Sequence, residues 1–143
     1  MDEIEIDIQE GLKDIIGLGI VEIISNDTVL KYFEDIKSKY SIGIGAINWS
    51  DDKLLAKLGE LLSIDEKIEI SRFIFKSFTS NNGIINQRVT VLSDTILSNG
   101  YSMPFEEFLN NLHLFLPLPL NLIIVFSNGK ILNYNWHDEI FFG

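Results

Sequence analysis

The chain has no cysteine, which excludes disulfides, thiolate nucleophiles, iron–sulfur clusters and cysteine-based zinc sites, and is compatible with a reducing, cytoplasmic setting. Positive charge is scarce. Eleven basic side chains face twenty-one acidic ones, for a net charge of −10. A surface of that sign repels phosphate backbones and anionic headgroups, so the expected partner is a basic protein rather than nucleic acid or a membrane. Long hydrophobic runs are also missing. The most apolar stretch, residues 114–126, is shorter than the ~20 residues that span a bilayer, and Pro117, Pro119 and Asn121 break it, so it reads as core. The first ten residues are acidic and alternating, unlike the basic, continuously apolar start of a secretory signal. No repeat, linker or low-complexity segment interrupts the sequence.

What is present suits one globular domain. Of 143 residues, 46% are apolar, led by 23 Ile, 18 Leu and 10 Phe, ample for a packed interior. The patterning predicts an α+β fold: one compact domain over residues 1–143, with a mixed sheet, an N-terminal βαβ-like unit, central helices and a C-terminal β-hairpin. Ile4, Ile6 and Ile8 alternate with Glu3, Glu5 and Asp7, the period of a strand with one wet face. Residues 18–24 are rich in β-branched side chains and predict a second strand. Ser25, Asn26 and Asp27 offer N-caps for a helix with Val29, Phe33, Ile36 and Tyr40 on one face, and residues 42–49 return to strand. Strand, helix, strand in that order predicts a parallel pair with a right-handed crossover.

Ser50, Asp51 and Asp52 predict the start of a helix carrying Leu54, Leu55, Leu58, Leu61 and Leu62. The capping-box string Ser63-Ile64-Asp65-Glu66 predicts another, running toward Phe78 and ended by Asn81-Asn82-Gly83. Residues 84–98 fit strand or helix. Pro104 at a first helical position, followed by Glu106 and Glu107, predicts a helix that turns Phe105, Phe108, Leu109 and Leu112 inward. Residues 120–127 and 130–136 then read as a hairpin through Asn128-Gly129.

No reaction motif accompanies this framework. Gly17-Leu18-Gly19 and Gly43-Ile44-Gly45 resemble phosphate loops only superficially: Glu22 stands where the third glycine of a dinucleotide fingerprint would be, and no Lys-Ser/Thr follows. On strands, each glycine pair would instead bare one face for a closely packed helix or a docking surface. His113 and His137 are the only histidines, and the string His137-Asp138-Glu139 could be drawn as a base or metal cluster, but adjacent residues of an extended chain diverge. No cofactor or metal site is expected. Asp51-Asp52, Asp65-Glu66 and Glu106-Glu107 are explained by first turns of helices. Residues 1–14 are different, with six acids and one lysine, half of the net charge. On a strand, Glu3, Glu5 and Asp7 would stand ~6.8 Å apart on one face, either guarding a sheet edge or meeting a basic surface. Trp49, Tyr134, Trp136, Phe141 and Phe142 fall at or beyond strand ends, where interface anchors are found.

Small size, acidity, absence of cysteine and of catalytic motifs, and an acidic and aromatic surface together resemble the small immunity proteins that bacteria make against their own toxins, including those of contact-dependent inhibition and polymorphic toxin systems. The resemblance concerns the character of the whole chain, not a residue string. It implies a non-enzymatic cytoplasmic monomer that binds and inhibits a cognate toxin, a nuclease, in a heterodimeric complex. In that role Glu3, Glu5, Asp7, Asp138 and Glu139 would steer the toxin, and Trp49 and Trp136 would anchor it. A dimeric, acidic secretion chaperone fits the same composition. From another class, so does a small enzyme or ligand-binding domain using His113 or His137.

Overall fold

In a computed structural model of the chain, which describes residues 2–43, 46–94, 96–116 and 121–143, the first element is a helix where the alternating isoleucines predict a strand. Helix α1 (Glu3–Gly17) is capped by Asp2, whose carboxylate accepts the Ile4 N–H at 2.8 Å. The alternation spans too few residues to decide the period. Ile4, Ile8, Leu12, Ile15 and Ile16 continue at helical spacing and pack into the core, while Ile6 is left 48% exposed. The helix closes in a Schellman motif, with Ile20 N–H on the Ile15 carbonyl and Gly19 N–H on that of Ile16. Gly19 takes the left-handed conformation this requires, φ +76°. Gly17 and Gly19 therefore terminate a helix and bare no strand face.

Strand β1 (Glu22–Ile24) is shorter than expected, and α2 (Asn26–Lys39) follows it. The strand predicted over residues 42–49 is instead β2 (Ile42–Gly43) and β3 (Ala46–Ile47), paired with each other as a separate antiparallel hairpin. No βαβ unit forms, because the chain folds back on itself after α2 rather than entering the sheet beside β1. Ile44 and Gly45, the rest of the second glycine pair after Gly43, lie outside the described residues, as do Pro117 and Pro119. Asp51–Lys53 is a single 3₁₀ turn, and β4 (Leu54–Lys57) replaces the expected leucine-rich helix. Its leucines never share a face: Leu58 is buried after the strand ends, whereas Leu61 is fully exposed.

Helix α3 (Ile64–Asn81) carries the complete capping box, Glu66 N–H to Ser63 Oγ at 3.2 Å and Ser63 N–H to Glu66 Oε1 at 3.1 Å. Of the ambiguous residues 84–98, Arg88–Ser93 form strand β5, and β6 (Gly100–Pro104) follows. Pro104 caps α4 (Phe105–Asn110) instead of opening it, and α5 (Leu112–Phe115) continues the same inward face, with Phe105, Phe108, Leu109 and Leu112 all buried. The hairpin of β7 (Leu122–Phe126) and β8 (Ile131–Tyr134) turns through Asn128 and Gly129, whose φ is +87°. Strand β9 (Glu139–Phe142) completes a seven-stranded sheet in the order β1-β6-β5-β7-β8-β9-β4. Every pairing among the described strands is antiparallel, so the sheet is not mixed.

The α+β architecture is thus a sheet with helices on both faces, unequally shared. On one face Val89, Val91, Leu122, Ile124, Phe126 and Leu132 meet α1, α3, α4 and α5. The alternate residues Leu92, Ile123 and Ile131 point to the other face, where, among the described residues, α2, through Val29 and Ile36, the short hairpin, through Ile47, and Trp49 cover them. Among the described residues the second face is covered less fully than the first. Among the described residues, no helix is long and apolar enough to cross a membrane.

Candidate functional site

Helix α1 sorts the N-terminal acids by face. Glu3, Asp7, Glu10 and Asp14 follow the i, i+4, i+7, i+11 spacing and form one exposed stripe, ~16 Å long at 1.5 Å per residue. Glu5 points the opposite way and is 0% exposed. Its carboxylate accepts the Ser98 N–H (2.8 Å), the Asn99 N–H (3.1 Å) and the Tyr101 hydroxyl (2.6 Å), tying α1 to the start of β6. Burial and the Glu5 carboxylate push the Tyr101 hydroxyl well above the usual tyrosine range, which keeps it a donor. The expectation that Glu3, Glu5 and Asp7 present one charged strand face is thus corrected: Glu5 is interior structure, and Glu10 and Asp14 take its place outside.

The stripe opposes the helix that carries it. Like charges three and four apart destabilise a helix by about 0.2–0.5 kcal/mol per pair, and Asp14 lies near the negative end of the helix dipole, where no basic residue occupies the last turn. Among the described residues, relief comes from Lys13, with an exposed 2.7 Å ion pair to Glu10. Helical spacing over residues 3–14 was the signal for this stripe, hidden by the isoleucine alternation.

The expected aromatic anchors separate in the same way. Trp49 is half-buried: its indole stacks on Phe141 (centroids 5.7 Å, interplanar 5°), meets Tyr40 edge-on, and donates to Asn133 Oδ1 at 2.9 Å. It fastens the segment after β3 to the sheet. Trp136 is 60% exposed in the β8–β9 turn, its ring against that of His137 at 4.0 Å.

That turn is rigidly built. Asn135 Oδ1 accepts the N–H groups of His137 and Glu139, and Asn135 Nδ2 donates to the Glu139 carboxylate. Asp138 occupies the left-handed region at φ +59°, which aspartate tolerates better than most residues. Its carboxylate takes the Lys67 ammonium at 2.9 Å and the Tyr134 hydroxyl at 2.6 Å. Burial pushes Asp138 upward, but the bonds from Tyr134 and Lys67 and the charges of Lys67 and Lys57 outweigh it, leaving the group below its ordinary value. Asp138 is therefore a partnered anion that docks the turn on α3, not a free surface charge. Lys67, its partner, carries no sequence signal, since the pairing spans 71 residues.

His137, Asp138 and Glu139 do not converge: the carboxylates turn to Lys67 and Asn135 while the imidazole stays exposed beside Trp136. His113 is exposed on α5. Among the described residues, no three His, Asp or Glu side chains gather as a metal site requires.

The less fully covered face of the sheet holds a groove of about 280 Å³ between α2, the β2–β3 hairpin and strands β7 and β8. Its walls are apolar, including Leu30, Phe33 and Ile123, and Asp94, Asn121 and Asn133 supply polar groups. Burial pushes the Asp94 carboxyl above the ordinary range despite a 3.3 Å bond from Asn121. Comparison with protein-family models, curated proteins and solved structures returns no match, so any function assigned to these surfaces rests on the chain's own residues.

Proposed function

We propose that the chain is a non-enzymatic immunity protein that acts as a cytoplasmic monomer, binding and inhibiting a basic cognate toxin, a nuclease. The observation that carries this reading is the stripe of Glu3, Asp7, Glu10 and Asp14. Glu3 suits the first turn of α1, but Asp7 and Asp14 stand among like charges, and Asp14 near the negative end of the dipole, without a compensating base, which is what selection for a positively charged partner, rather than for stability, would maintain. The stripe steers encounter, and Trp136, held out on a braced turn, supplies apolar contact area.

The test is kinetic. The chain is immobilised and used to capture its partner from the source cells; a basic protein recovered in equal amount, whose nuclease activity the chain suppresses, is expected. The combined variant Glu3→Gln, Asp7→Asn, Asp14→Asn should then associate roughly tenfold more slowly at low salt, with the difference shrinking as ionic strength rises. An acidic partner, or an on-rate indifferent to both the substitutions and salt, refutes the reading.

A further inference from the structure

The groove on the α2 face has a chemical preference of its own. Asp94 Oδ1 is buried and has no hydrogen-bond partner, and the carboxylate has no ion pair among the described residues. A carboxylate so placed is costly unless a cation or further donors meet it. Among the described residues no cation meets it, and its donors are the Asn121 amide and its own backbone N–H. Asn133 is committed at both ends, accepting from Trp49 and donating to the Leu122 carbonyl at 2.9 Å. Lys37 stands at the rim but is 61% exposed, lies 4.0 Å from Glu34, and is absent from the interactions that set the state of Asp94.

We propose that this groove is an arginine socket: it takes the guanidinium of an arginine side chain from a basic partner, with the alkyl stem between Leu30, Phe33 and Ile42 and the cation against Asp94. Asp94 lines the groove, and Asn121 holds its Oδ2 by a long 3.3 Å bond that a guanidinium can share. Apolar walls suit the methylene stem. The half-buried ring of Phe33 offers a face on which a planar guanidinium stacks, and a guanidinium loses less hydration than an ammonium on entering such a site. Assigning that arginine to the toxin rests on the function proposed above; the recognition of a guanidinium does not.

The test therefore needs no toxin. Amide chemical shifts of the intact protein are followed during titration with n-butylguanidinium, n-butylammonium and the neutral isostere n-butylurea. Saturable shifts at Leu30, Phe33 and Ile123 are expected with n-butylguanidinium, at an affinity roughly tenfold above that of the urea. Asp94→Asn should abolish the preference for the cation. Lys37→Gln, an exposed change that leaves the fold intact, should tighten n-butylguanidinium roughly twofold by removing a like charge from the rim. Equal binding of cation and urea, binding of n-butylammonium as tight as that of n-butylguanidinium, shifts confined to other surfaces, or no gain in Lys37→Gln would each overturn the socket. Failure to capture a toxin would refute the proposed function and leave these titrations unaffected.

Discussion

Removing Glu5 separates a buried acid from the surface acids that flank it. Glu5→Ala deletes the acceptor of three hydrogen bonds, from Ser98, Asn99 and Tyr101. Bonds to a charged acceptor contribute about 1.5–3 kcal/mol each, so the gross loss is large, but truncation also removes the desolvation penalty of a buried carboxylate, which is several kcal/mol. A net destabilisation of about 3–5 kcal/mol follows, as when one member of a buried polar network is deleted. At roughly 3 °C per kcal/mol for a chain of this size, Tm should fall by about 10–15 °C. Glu5→Gln should cost about half as much, because its carbonyl still accepts from Tyr101 while its amide group faces backbone donors. Urea unfolding of wild type, both variants and Glu3→Ala provides the measurement, with Glu3→Ala expected within about 0.5 kcal/mol of wild type. The reasoning fails if Glu5→Ala and Glu3→Ala are equally stable, or if Tyr101→Phe is as damaging in the Glu5→Ala background as in wild type.

Asp14→Lys should raise stability by about 0.3–1 kcal/mol, since it replaces a repelled carboxylate with a favourable cation in the last turn of α1; a fall in Tm would contradict the electrostatic reading of the stripe. Trp49→Ala should cost about 2–4 kcal/mol through the lost stack on Phe141 and the bond to Asn133. Trp136→Ala should stay within about 0.5 kcal/mol of wild type while weakening partner binding, and urea melts alongside binding measurements distinguish the two tryptophans. Asp138 is held below its ordinary value, so the stability its ion pair adds is present above the unfolded-state pKa and is lost as pH falls through the folded one. Asp138→Asn, which tolerates the same backbone, should therefore be less stable than wild type at pH 7 by about 1–2 kcal/mol and converge with it as pH falls below the folded-state pKa of Asp138; a gap that persists in acid would assign the loss to packing instead.

The elements that were legible share a local cause. The Ser63 capping box, the Asn128-Gly129 turn and the inward face of Phe105 to Leu112 are each specified by residues a few positions apart. The failures are those in which two periods fit the same letters. Ile4, Ile6 and Ile8 satisfy a strand, yet Ile4, Ile8 and Leu12 satisfy a helix, and the packing of Ile15 and Ile16 beyond them, with the contact of Glu5 to Tyr101, 96 residues away, favours the helix. The leucines after Asp52 fit a helix equally well, but β9 presents an unpaired edge that Leu54–Lys57 fills, so pairing overrides pattern. Trp49 and Trp136 looked alike as residues near strand ends. Only their neighbours, Phe141 and Asn133 for one and His137 for the other, tell core from surface.

The same logic applies to charge. Glu5 and Asp7 are indistinguishable by composition, yet neutralising them should move stability in opposite directions, because Glu5 is surrounded by donors and Asp7 by like charges. A slower encounter with a basic partner could follow from lost charge or from a partly unfolded chain, and in most proteins the two are hard to separate. Here they have opposite signs. Stripe variants that bind more slowly should also melt higher, whereas a Glu5 variant that binds more slowly must melt lower. A protein that gains stability as it loses its partner identifies the stripe as a surface maintained for binding at the expense of the helix beneath it.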